Sequence, residues 1–291
     1  MKKFLLLSLI FVSFVLFACD REIVKKEKEA RTYFDKKQFS KVIEMIEPIK
    51  PSRRGPRLSL ILGKSYGELM EFNKANLIFN TIAKRYPSYK DSLITVYLLL
   101  AKKFEKRKRN DIAVKSYNAI LSLEGEYNIG DGFYTMGHYY YALNNVEKAR
   151  EFFEKGIENI TNANILKKAR SELMSLYESL GMYKKAVDVS DGDSSTDILY
   201  KKGEIEYKLA KELFSRESFD SALVYCQDII VINTPKTLID DAYFLSGEIY
   251  SSIGDYKSAL ASYKKVIRLD MYRNTPIASL AKERIKALNA D

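Results

Sequence analysis

Apolar residues recur along this chain at positions i, i+3 and i+4, the stripe that a helix buries against a neighbour. Two such phrases alternate. The first sets an aromatic residue three places after a residue that is usually small: Leu62-Gly63-x-x-Tyr66, Leu100-Ala101-x-x-Phe104, Met136-Gly137-x-x-Tyr140, Leu173-Met174-x-x-Tyr177 and Ser246-Gly247-x-x-Tyr250. The second centres on an alanine: Phe72-x-x-Ala75-x-x-x-Phe79, Val146-x-x-Ala149-x-x-x-Phe153, Phe219-x-x-Ala222-x-x-x-Cys226 and Tyr256-x-x-Ala259-x-x-x-Tyr263. With weaker copies at Val42, Ala113 and Ala186, the centres recur every 33–38 residues and predict seven helix hairpins. Two antiparallel helices approach closely only where one side chain is tiny, and a large side chain of the partner fills the dent. Gly181-Met182 and Gly254-Asp255 fall between the phrases, where a short turn needs a residue at positive φ. All six prolines fall between units, and Pro276 predicts the start of a last helix, Ile277 to Leu288, that covers the open end of the array. Ser190-Asp191-Gly192-Asp193-Ser194-Ser195 shortens the second helix of the fifth hairpin, and the next helix lengthens, from Asp197 to about Arg216. This irregularity predicts a partition into residues 19–190 (repeats 1–5) and 191–291 (repeats 6–7 and the capping helix), with a change of superhelix direction between them.

The phrases resemble the tetratricopeptide repeat (TPR), a helix–turn–helix unit of about 34 residues. Gly247, Tyr250, Gly254, Tyr256, Ala259 and Tyr263 follow its pattern, as do Gly63, Tyr66, Phe72, Ala75, Phe79 and Pro87. The resemblance covers about Ile23 to Asp291. It implies an all-α fold, a TPR-type α-solenoid of about seven helix-turn-helix repeats with a C-terminal capping helix. It further implies a concave groove lined by the first helices, whose polar positions contact a partner: Lys64, Lys102, Glu105, Lys106, Tyr134, His138, Tyr141, Glu178, Phe244 and Glu248. Copies two to four then form a basic wall bearing tyrosines. Tyrosine offers a large contact area with a hydrogen-bonding tip, which suits an extended or partly acidic peptide. Leu60 and Lys64 do not reproduce the carboxylate clamp found in part of the family, so a chaperone tail is not the expected ligand.

The N-terminus reads as an address. Lys2 and Lys3 precede an apolar run, Phe4 to Ala18, too short for a comfortable membrane span and suited to a signal peptide. Leu16-Phe17-Ala18-Cys19 resembles a bacterial lipobox, which implies a signal peptide over residues 1–18 and lipidation of Cys19. The implied location is the bacterial cell envelope: the periplasmic face of the outer membrane, with the inner membrane and the cell surface as alternatives.

Composition narrows the chemistry. The 291 residues hold 48 Lys+Arg against 38 Asp+Glu, a net charge of +10. One histidine and two cysteines exclude a His-rich or Cys₄ zinc site. Cys226 lies on an apolar helical face and reads as buried. Gly63-Lys64-Ser65 lacks the first glycine of a P-loop, since Leu58 stands there. Asp191-Gly192-Asp193 lacks the acidic alternation of a calcium loop. His138 has no nucleophile or carboxylate tied to it by a motif. No catalytic residue, metal or cofactor is therefore expected. The densest basic run, Lys102, Lys103 and Lys106 to Arg109, reads as a solvated helix end or a surface for an anionic lipid or acidic partner; nucleic acid is not an expected partner of an exported chain.

The resulting expectation is a membrane-anchored, non-enzymatic scaffold that binds proteins or peptides. Two phrases, Phe79-Asn80-Thr81-Ile82-Ala83-Lys84-Arg85-Tyr86-Pro87 and Ala281-Lys282-Glu283-Arg284-Ile285-Lys286-Ala287-Leu288, are similar to the TPR lipoproteins of the outer-membrane β-barrel assembly machinery. That resemblance implies envelope-assembly proteins as partners. A surface-exposed binding lipoprotein of receptor or adhesin type is the second reading, and an accessory subunit of a cell-wall enzyme the third.

Overall fold

A computed structural model describes residues 22–270 and 275–289; the signal segment and Cys19 lie outside the described residues. These form fifteen helices and no strand. They are α1 (22–35), α2 (Phe39–Ile46), α3 (Pro51–Glu68), α4 (Phe72–Arg85), α5 (Lys90–Lys106), α6 (Asn110–Leu123), α7 (Gly132–Ala142), α8 (Val146–Asn159), α9 (Ala163–Ser179), α10 (Tyr183–Val189), α11 (Thr196–Ser215), α12 (Phe219–Ile232), α13 (Ile239–Ser252), α14 (Tyr256–Leu269) and α15 (Pro276–Leu288). Helices α3 to α14 pair into six hairpins, α1 and α2 form a seventh through the turn at Lys37 and the Phe34–Phe39 ring contact, and α15 packs on the last hairpin of the chain as the expected cap. The fold class is thus an all-α solenoid of helix hairpins.

One turn closes every hairpin. A residue in the left-handed region stands five places before each repeat centre: Lys37, Met70, Lys108, Asn144, Gly181, Glu217 and Gly254, with φ between 55° and 82°. Its amide and the next reach back to the first helix, as Gly254 N–H does to Ser251 O (3.2 Å) and Asp255 N–H to Tyr250 O (2.9 Å). This is the Schellman arrangement, which satisfies carbonyls that a helix end leaves open. Only two of the seven positions are glycine, so sequence reading found only those two turns by their glycine. Pro56 lies within α3, but Gly55 (φ 64°) breaks the helix just before it, and the continuous part begins at the proline.

The repeat centres hold the core. Val42, Ala75, Ala113, Ala149, Ala186, Ala222 and Ala259 are all fully buried. Sixteen residues separate the small position of each first helix from its filler on the second. A methyl added to Gly63 would collide with the Phe79 ring, one on Gly137 would come within 2.5 Å of Phe153, and one on Gly247 within 2.6 Å of Tyr263. Where the small residue is alanine, the residue sixteen on is Ile46, Tyr117 or Cys226; in the fifth hairpin the sizes invert, with Met174 and Ser190. The members of the pair change from hairpin to hairpin, and in most of them a small residue faces a large one, as close packing of the two helices demands.

The chain divides into two compact units, one ending at Ile129 and the other beginning at Gly130. The first contains α1–α6 and the second α7–α15. The irregular helices at 190/191, where a division was expected, fall within the second unit. There α10 is indeed short and α11 long, yet both α9 and α10 pack on α11 across the loop, so the second unit runs through it unbroken.

Candidate docking surfaces

Within the second unit the first helices stand side by side: α7 packs on α9, α9 on α11, α11 on α13 and α13 on α15, more closely than the second helices approach one another. The row therefore curves toward its first helices, whose polar positions form an inner face. Neighbours on that face are tied together. Tyr134 donates to Glu172 (2.9 Å), and His138 Nδ1 lies 2.8 Å from the same carboxylate. Lys208 donates to Glu178 (2.5 Å), and Lys201 to Ser171 O (2.8 Å) and to Ser175. Arg284 makes a two-pronged contact with Glu248 (2.8 and 3.3 Å), which also accepts from Tyr263 (2.5 Å). Burial, with the hydrogen bond to Glu172, pushes the Tyr134 phenol well above its usual range, so it stays a donor.

The groove residues named from sequence thus fall into two groups. Tyr134, His138, Glu178 and Glu248 are engaged in links between adjacent repeats, and Phe244 packs on the Tyr263 ring (5.6 Å between centroids). Tyr141 is exposed, its ring meeting Phe153 edge to face. In the first unit Glu105 accepts from Tyr117 (2.9 Å), and Lys64 is half-buried, its ammonium held below the usual range by burial and by Arg31. Lys103, not named from sequence as a groove residue, carries the link from α5 to Glu68 of α3 (2.6 Å). Lys102 and Lys106 are exposed and form no ion pair among the described residues.

A second kind of surface lies between consecutive second helices. In the first unit α4 and α6 bound an open groove of 550 Å³ that continues into another of 440 Å³. Asn73, Asn76 and Asn80 line it from α4, and Lys115, Asn118 and Ser122 from α6. In the second unit α12 and α14 bound a groove of 410 Å³ lined by Leu223, Val224, Gln227, Asp228 and Ile230, with Tyr243 and Tyr250 of α13 beneath. Residues equally placed after the repeat alanine differ in part: Asn76 in α4 answers to Leu223 in α12, whereas Asn80 answers to another carboxamide, Gln227.

Charge separates the units as well. Residues 22–129 carry 23 Lys+Arg against 13 Asp+Glu, whereas residues 130–291 carry 22 against 24. The net values are +10 and −2, so the basicity of the whole chain belongs to the first unit.

Two regular features escaped sequence reading although their spacing was visible. A lysine eight residues after the first-helix tyrosine lies over its ring in four hairpins: Lys41 on Tyr33 (5.7 Å), Lys74 on Tyr66 (5.0 Å), Lys148 on Tyr140 (4.9 Å) and Lys185 on Tyr177 (5.8 Å). The other is the asparagine row at 73, 76 and 80, a spacing that sets all three on one helix face. Among the remaining candidates, Cys226 is buried, and burial pushes its thiol up to about 12, which makes it inert at neutral pH. Asp193 is taken up by the Ser195 amide (2.9 Å) and Arg170 (3.3 Å).

Residues 131–160 and 240–270 match the tetratricopeptide repeat family. No curated protein matches. Among solved structures the chain is similar to YrrB, a TPR protein described as having an unusual peptide-binding site: 18% identity over 70% of this chain and 97% of that one, TM-score 0.39. It is similar also to the C-terminal part of a TPR protein from Cytophaga hutchinsonii (18% identity, 88% and 98% of the two chains, TM-score 0.38). A third is a tetratricopeptide repeat protein from Parabacteroides merdae (17% identity, 93% and 100%, TM-score 0.37).

Proposed function

We propose that this protein is a non-enzymatic docking scaffold, tethered to a bacterial envelope membrane through lipidated Cys19, that holds protein or peptide partners. The observation that carries the reading is the uniformity of the build. Seven hairpins share one turn and one core lock, two of their segments match the TPR family, and the side chains that vary from repeat to repeat lie on the outer and inner faces. TPR arrays present such faces to protein or peptide partners. The lipobox-like Leu16-Phe17-Ala18-Cys19 supports the tether. A diacylglycerol thioether together with an acylated amine supplies the two chains that stable anchoring needs.

The narrower reading places the scaffold on the periplasmic side of the outer membrane, in assembly of outer-membrane proteins. Its support is the pair of phrases at 79–87 and 281–288. Photo-crosslinking from position 141 in living cells tests both levels, because Tyr141 is exposed and its neighbours on the face are engaged. Capture of a defined partner is expected, and capture of barrel proteins or their assembly factors supports the narrower reading. A cell fraction in which Cys19→Ser stays with the membrane would remove the tether.

A further inference from the structure

The scaffold reading leaves open which face takes a partner and what the partner is. The groove between α4 and α6 answers both. Asn73, Asn76 and Asn80 stand at i, i+3 and i+7 on α4 and face Lys115, Asn118 and Ser122, which have the same spacing on α6. A carboxamide carries a donor and an acceptor on one planar group, the same pair that each peptide unit presents. Asn76 and Asn80 are about 6 Å apart along the helix axis. That nearly matches the roughly 6.6 Å after which an extended chain offers backbone groups to the same side again. Asn76 is oriented for this task. Its Oδ1 accepts from the buried Tyr97 hydroxyl at 2.6 Å, which leaves the amide donors for the groove. Ala83 and Ala119 keep the floor low.

Electrostatics selects the side chains of the occupant. The two carboxylates at the rim are already paired, Glu71 with Lys74 (2.6 Å) and Asp111 with Arg109 (3.0 Å). Lys84 and Lys115 line the groove without an ion pair among the described residues, in a unit of net charge +10. We propose that the groove between α4 and α6 binds an extended, acidic polypeptide segment of another protein. Asparagines grip its backbone, and Lys84 and Lys115 hold its carboxylates. The assignment rests on the scaffold reading and places the docking site on the second helices, away from the inner face.

The test is a displayed library of random dodecapeptides panned over the full chain, with affinities of the enriched peptides measured at two salt concentrations. Enriched peptides should carry an excess of Asp and Glu and weaken as salt rises. Asn73→Ala/Asn80→Ala and Lys84→Glu/Lys115→Glu should each lower affinity at least tenfold. Asn76 is left intact because it holds Tyr97, and unchanged melting curves check that the variants fold. Lys102→Glu/Lys106→Glu, on the first-helix side of the same unit, should change affinity less than twofold. Enriched peptides that bind both groove variants as well as the parent, or that show no acidic excess, overturn the proposal. Loss confined to the Lys102/Lys106 variant also overturns it while keeping the scaffold reading, with the inner face as its site. A library in which nothing is enriched counts against both.

Discussion

The two units are built on one plan and dressed differently. Each hairpin closes on a left-handed residue and locks through a pair of buried residues sixteen residues apart. Yet the first unit is strongly basic and sets asparagine and lysine between its second helices, while the second is nearly neutral and sets leucine and valine beside Gln227 and Asp228 there. Interior and surface therefore answer to different constraints. The interior must reproduce one helix–helix distance in every repeat, so its pattern recurs. The grooves are free of that demand, so their lining differs between the units.

The largest effect should come from a contact that only the second unit has. A methyl on Gly203 of α11 would stand 2.5 Å from Thr234 O and collide with Pro235, and backbone yields poorly. Gly203→Ala should cost about 3 kcal/mol, the upper part of the overpacking range. Gly67→Ala in the first unit meets only the end of the Leu100 side chain (2.6 Å), which has other rotamers, and should cost about 1 kcal/mol. Denaturant melts combined with hydrogen exchange, which assigns each loss to its unit, check the contrast; equal costs would mean that α11 is not held against Pro235 as seen.

Next in size is the lock itself. Gly63→Ala should destabilise the first unit by about 1–3 kcal/mol, and so should Gly247→Ala the second. Adding Phe79→Ile to Gly63→Ala should recover at least half of the loss, because the Ala30/Ile46 pair already occupies the same two places in the first hairpin. A double-mutant cycle measures the coupling, and strict additivity would show that the pair does not share one space.

How far these features could be read in advance follows from what fixes them. The helices, the buried alanines and the Gly–aromatic contacts of the second, fourth and seventh hairpins repeat at a set spacing, and periodic residues of special size are visible in a string. The turn residues Lys37, Met70, Lys108 and Glu217 were not, because nothing in their chemistry favours positive φ; packing of the two helices imposes it. The residues expected on the inner face lie on first helices, but whether a polar side chain awaits a partner or is tied to the next repeat depends on contacts some 34 residues away, as Glu172 shows with His138.

Glu206 offers a sharper contrast, since no carboxylate among the described residues of the first unit is buried. Its side chain is buried on α11, neither oxygen has a hydrogen-bond partner, and Lys202 Nζ stands 3.4 Å away while Asp228 and Asp191 add negative charge nearby. Burial, opposed in part by Lys202, raises its carboxyl from the ordinary 4.5 to about 7. Below the ordinary value both states hold the proton. Between 4.5 and 7 only the folded state holds it, so the second unit loses stability as pH rises through that window. Glu206→Gln should be nearly neutral at pH 4.5 and stabilise by about 2 kcal/mol at pH 8. Parallel pH profiles for the two proteins would show that another group governs the second unit.

The smallest effect singles out the first unit, whose three turns all lack glycine. A side chain in the left-handed region costs roughly 1 kcal/mol through the approach of Cβ to the following carbonyl. Part of that is returned when glycine replaces it, because glycine gains entropy in the unfolded chain. Met70→Gly and Lys108→Gly should therefore each stabilise by about 0.5–1 kcal/mol, whereas Gly254→Ala should destabilise the second unit by a similar amount. Thermal melts of the three variants decide it. If the two glycine substitutions in the first unit left its melting unchanged while Gly254→Ala lowered that of the second, the shared turn would be a likeness of geometry without a likeness of energy.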